Sequence, residues 1–170
     1  MFKTFLKVAA AIVFIIILNF CGQKNYSLDE VKGIIKTVND NLHGLKEKDY
    51  EWASKKAYSK IKAFYPLKGY TLLNERIRFR SGGDSFNLYY FKDGNLVFFK
   101  ERKLTFKKTY RNKLRRVLSS LDLYLDQYGN VVGFENMADK KKADLEGSQV
   151  TDILSHANEI YAIANPKKKN

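Results

Sequence analysis

Cysteine is nearly absent: the 170-residue chain holds one, Cys21. A single thiol excludes an internal disulfide framework and any site built from several thiolates. Histidine is almost as scarce, with two residues, so zinc and nucleophilic chemistry have little to work with. Acidic residues are outnumbered, 18 against 31 Lys and Arg, which gives a formal net charge of +13. Internal repeats and low-complexity segments are missing. With 45% hydrophobic and 29% charged residues, the composition is that of a folded chain rather than a disordered one. The length suits one ordinary domain.

The N-terminus carries the longest apolar run. Lys3 and Lys7 precede an uninterrupted stretch from Val8 to Leu18. That stretch fits the apolar region of a secretory signal over residues 1–20 and falls short of the ~20 residues a spanning helix needs. It is followed by Leu18-Asn19-Phe20-Cys21-Gly22. At these residues the sequence resembles a bacterial lipoprotein precursor with a relaxed, spirochaete-like lipobox: Leu at −3, the obligatory Cys, and Gly after it. Phe20 is larger than the family's usual residue at −1. The resemblance implies that Cys21 takes a diacylglyceryl group, that cleavage follows, and that the new amine is acylated, for instance with palmitate. One acyl chain gives marginal membrane residence, so stable anchoring takes two or more. A plain cleaved signal with an incidental Cys21, or an uncleaved N-terminal anchor, are the alternatives. The expected layout is a signal at 1–20, a short tether at 21–26, one domain at 27–165 and a basic tail at 166–170.

The body reads as α+β: an N-terminal helical hairpin, an antiparallel meander of five or six strands, and a C-terminal helix. Ser27-Leu28-Asp29-Glu30 fits a capping box, and Leu28, Val31, Ile35, Val38 and Leu42 follow at helical spacing, with Gly44 as a stop. Asp49 opens an expected second helix with Tyr50, Ala53, Ala57, Ile61 and Phe64 on its apolar face, ended by Pro66. Strand-like stretches follow at 71–80, 85–92, 95–102, 104–111, 115–127 and 130–136, separated by turn signals such as Ser81–Asp84, Asp93-Gly94 and Tyr128–Asn130. Tyr110 to Leu118 also fits a short helix. Residues 138–147 read as a linker, and 148–164 as the last helix. The stretch Leu42–Ala57 resembles the helix hairpin of nuclear-transport-factor-like cone domains, which implies a curved sheet packed on helices.

No catalytic constellation, metal site or cofactor motif stands out. His43 suits a helix-end partner, and His156, with Asp152 and Glu159 on the same helix, suits a surface network. Asp122 and Asp126 fall on one strand face. Ser81-Gly82-Gly83-Asp84 has no phosphate-loop lysine and reads as a turn. The charge is unevenly spread: 71–120 holds most of the positive surplus, whereas acids prevail in 121–165. Alternation puts Arg76, Arg78 and Arg80 on one strand face opposite Ile77 and Phe79, and Lys100 and Arg102 share a face of a later strand. Neighbouring strands would make these five residues a basic wall, either a solvated face that keeps an aromatic-rich domain soluble and its edges from aggregating, or a surface suited to anionic lipid, lipopolysaccharide or sulfated glycan. Nucleic acid is the weakest partner, because an exported protein rarely meets it.

The expectation is a non-enzymatic envelope lipoprotein, on the outer rather than the inner membrane, with a binding or scaffolding role. A surface adhesin holding polyanionic host matrix is the first alternative. A cone-domain binder or enzyme with a pocket between sheet and helices is the second.

Overall fold

The computed structural model describes residues 25–43, 47–108 and 113–165. The expected signal, Cys21, the stop at Gly44 and the basic tail lie outside them. The first described helix, α1 (Leu28–Asp40), starts as the capping box requires. Ser27 N donates to Glu30 Oε2 at 2.7 Å, and Glu30 N donates back to Ser27 Oγ at 3.3 Å. Val31, Ile34 and Val38 form its buried stripe, and Asn41 caps its end.

The expected second helix is corrected. Residues 47–64 form a hairpin instead, β1 (Glu47–Ala53) and β2 (Ala57–Phe64). Tyr50, Ala53, Ala57, Ile61 and Phe64 do repeat at helical spacing, yet Ser59-Lys60-Ile61-Lys62-Ala63 alternates with period two. Ser59, Ile61 and Ala63 are buried while Lys60 and Lys62 are exposed. The aromatic content of the segment favours the pleated alternative. Ser54 Oγ makes the turn by accepting from the amides of Lys56 and Ala57. The likeness of 42–57 to a cone-domain helix hairpin falls with the same observation.

Six more strands follow: β3 (Tyr70–Phe79), β4 (Asp84–Lys92), β5 (Asn95–Lys108), β6 (Leu114–Leu125), β7 (Val131–Ala138) and the short β8 (Lys141–Lys142). The expected break between 102 and 104 is absent. No Gly, Pro, Asn or Asp occurs there, and one long strand runs through. Residues 114–118, also readable as helix, are strand, and β8 occupies part of the expected linker. The sheet is a single eight-stranded antiparallel meander in sequential order, larger than the five or six strands expected. The last described element is α2 (Gly147–Ala164).

The helices lie on opposite faces of this sheet. Under α1, Leu72, Tyr90, Val97 and Phe98 join Val31, Ile34 and Val38. On the other face, Leu73, Tyr89, Phe91, Phe99, Leu121 and Leu123 pack with Ala157 and Ile160 of α2. Cover on both sides explains consecutive buried residues such as 89–91 and 96–99, where a one-sided sheet would alternate. The hydroxyls of Tyr50 and Tyr65 both donate to the Ala164 carbonyl, which satisfies one of the open acceptors at the end of α2.

Candidate functional site

Register decides which charges meet. In an antiparallel sheet, directly paired residues share a face. Arg76 on β3 pairs with Phe86 on β4, which pairs with Arg102 on β5, then Ser120 on β6 and Met137 on β7. The next row is Arg78, Asp84, Leu104 and Leu118. The row on the other side is Asn74, Leu88, Lys100 and Asp122. All three lie on the α1 face, beyond the row Leu72–Tyr90–Phe98–Tyr124 beneath the helix. Four of the five expected basic residues are thus brought together. Arg80 departs: it follows the end of β3 and donates its amide to Lys56 O at 2.9 Å.

Two carboxylates serve these four cations. Asp122 lies 3.2 Å from Lys100 Nζ and 2.6 Å from Arg102 Nη1. Asp84 lies 3.9 Å from Arg76 and 3.6 Å from Arg78. Two positive charges are left without a counter-charge among these six residues. The guanidinium of Arg76 also stacks over the Phe86 ring, 4.9 Å from its centroid. Asp126, expected beside Asp122, turns away at the register shift between Tyr124 and Leu125. It is buried and receives the amides of Tyr128 and Asn130 and the Asn130 side chain. Burial pushes its carboxyl up, but these hydrogen bonds outweigh that and hold it below the ordinary carboxylate range. It is a turn lock, and the two aspartates make no cation site.

The opposite face holds a polar cluster that the sequence reading did not assemble. Glu75 is fully buried, and its carboxylate receives hydrogen bonds from Trp52 Nε1 (3.1 Å), Ser59 Oγ (2.6 Å), Tyr89 OH (2.8 Å) and His156 Nε2 (2.9 Å). A carboxylate only accepts, so Nε2 carries the imidazole proton. Burial raises the Glu75 carboxyl, but the His156 bond and charge and the Ser59 and Tyr89 hydroxyls bring it below its ordinary value. The Glu75 hydrogen bond raises His156 against the opposing effect of burial. Desolvation beside that carboxylate pushes the Tyr89 phenol strongly up, so it stays a donor. The surface network expected for His156 with Asp152 and Glu159 is replaced by this tie from α2 to β3. One signal was present: Leu73-Glu75-Ile77-Phe79 places an acid in an apolar register.

A cleft of about 580 Å³ opens beside this pair, with Phe79, Tyr89, Phe99, Glu101, Asp152 and His156 among its walls. Ser59 donates to Glu75 rather than to His156, so it forms no nucleophile–base pair there. His43 is exposed beyond the end of α1. Among the described residues, no group of three or more His, Cys, Asp and Glu is placed to hold a metal ion, and no helix is long and apolar enough to cross a membrane. No protein-family model, curated protein or solved structure matches the chain.

Proposed function

We propose that the protein is an envelope lipoprotein, anchored through acyl chains on Cys21, whose domain binds polyanions with the exposed basic rows of its sheet. Its role is binding, not catalysis. The observation that carries this reading is the convergence of Arg76, Arg78, Lys100 and Arg102 on one face through three neighbouring strands. Clustered cations raise local anion concentration and bind in a salt-sensitive way.

The route to the anchor supports a particular orientation. Tyr26 donates its amide to Gln127 Oε1 at 2.9 Å, and its ring lies under Lys92. The chain toward Cys21 therefore leaves near the 92 end of β4, while Arg78 pairs with Asp84 at the other end. Eight strand steps separate those ends by ~27 Å. Five residues back from Tyr26 span at most ~18 Å. Lipid on Cys21 would hold that end to the bilayer and present the rows of Arg76 and Arg78, the ones farthest from it, away from the membrane. An outer-membrane protein so arranged meets anions from outside, which is the adhesin form of the reading.

Metabolic labelling with palmitate tests the anchor: the parent chain incorporates label and Cys21→Ala does not. Equal labelling of both removes the anchor and the orientation built on it. A second reading, a small-molecule binder, is favoured by the cleft beside Glu75 and His156. Thermal stabilisation by a small-molecule panel that is lost in Phe79→Ser would select it, and the same response in both chains would dismiss it.

A further inference from the structure

Polyanion binding uses only the cations of the exposed rows. It leaves their apolar members unexplained. Phe86 is 48% exposed and Leu118 is 57% exposed, although both sit on a sheet face that α1 covers elsewhere. They join Leu104 and Met137 around a concavity of about 520 Å³. Phe86 stands between Arg76 and Arg102 in its row, and Leu104 beside Asp84 in the next. Lys140 closes the far side, where its backbone takes a positive φ of 68°. A contiguous apolar patch rimmed by charge marks a binding surface rather than a solvated face.

We propose that this groove seats one anionic lipid molecule, its acyl chain over Phe86, Leu104, Leu118 and Met137 and its phosphate or carboxylate between Arg76 and Arg102, which flank Phe86. The proposal deepens the polyanion reading of the same rows and rests on it. Charge complementarity selects the head group. The cations share two carboxylates and retain a positive surplus, so an anion is attracted and a neutral head is not. The stacked Arg76–Phe86 pair joins the two halves of the site, because it holds a guanidinium at the margin of the apolar floor. An acyl chain gains from every methylene it removes from water, a gain that a sulfated glycan or bare phosphate cannot draw from this floor.

The test uses the full chain in neutral phosphatidylcholine nanodiscs. A diazirine-tagged oleoyl lysophosphatidate is photo-crosslinked and its sites are mapped by mass spectrometry. Label is expected on residues 84–88, 102–105, 117–120 and 137–140, and excess untagged lipid should remove it where glycerol 3-phosphate does not. Leu118→Ser with Met137→Ser should cut that label about tenfold while leaving retention on heparin unchanged. Arg76→Gln with Arg102→Gln should weaken both. Equal labelling by a tagged neutral mono-oleoylglycerol, or label that appears only on adding anionic vesicles, overturns the lipid seat. Competition by polyglutamate as effective as that by the untagged lipid assigns the groove to an acidic protein and also overturns it. Heparin retention without groove label sinks this proposal alone, whereas loss of heparin retention by the parent chain sinks the polyanion reading beneath it.

Discussion

Glu75 is a charge with no solvent contact, and its position depends on every donor around it. Removing one partner of a buried pair leaves the other uncompensated. His156→Ala should therefore cost about 2–3 kcal/mol, below the usual range of about 3–5 because the imidazole is partly exposed. Urea titration measures it. The pair also imposes a pH signature. Glu75, held below its ordinary 4.5, contributes stability above that value and loses it as pH falls through its folded pKa. His156, raised above its ordinary 6.5, contributes fully below that value and loses its contribution as pH rises through its folded pKa. Both contributions are complete between 4.5 and 6.5. The stability gap between parent and His156→Ala should be widest at pH 5.5 and narrower at pH 9. A gap independent of pH would mean that the ion pair contributes nothing. At this scale the sequence was partly legible. Alternation placed Arg76 and Arg78 on the right face, but Glu75 and His156 lie 81 positions apart and meet only because α2 folds back over β3.

Elements fail or hold at their backbones. Gly83 has φ +101, and an added Cβ would lie 2.2 Å from the Leu104 carbonyl oxygen, so the β3–β4 turn tolerates no side chain there. Gly83→Ala should cost about 1–3 kcal/mol and loosen the register that aligns Arg78 with Asp84. Gly33 is the opposite case. It lies exposed inside α1, and an added Cβ would have nothing within 4 Å. Gly33→Ala should stabilise the protein by about 0.5–1 kcal/mol. Thermal melts of the two variants should move in opposite directions, and a shared direction would contradict this account of the two backbones. The helices α1 and α2 were readable because a capping box and an apolar stripe are local signals. The β1–β2 hairpin was not, because Tyr50, Ala57, Ile61 and Phe64 satisfy a helical spacing while the neighbouring lysines satisfy a strand. What decides is tertiary: Tyr50 and Tyr65 are needed at the end of α2, and Ile61 under its face.

The whole molecule is a sheet with two differently used faces. Where helices cover it, aromatic side chains form the core; beyond α1, the same β3, β4 and β5 strands present Arg76, Arg78, Arg102 and Phe86 to solvent. The basic wall was legible from strand periodicity, since side chains alternate, but its apolar floor depended on which strands became neighbours and on β5 running unbroken to 108. Retention of the detergent-solubilised full chain on heparin, read as the salt needed for elution, tests the proposed anion-binding role. Arg76→Glu, Arg78→Glu and Arg102→Glu together should elute at much lower salt than the parent. Lys32→Glu, Lys36→Glu and Lys68→Glu, which change net charge equally but belong to none of these rows, should elute near it. Equal losses in the two triple variants, or none in the first, would contradict a localised anion-binding face.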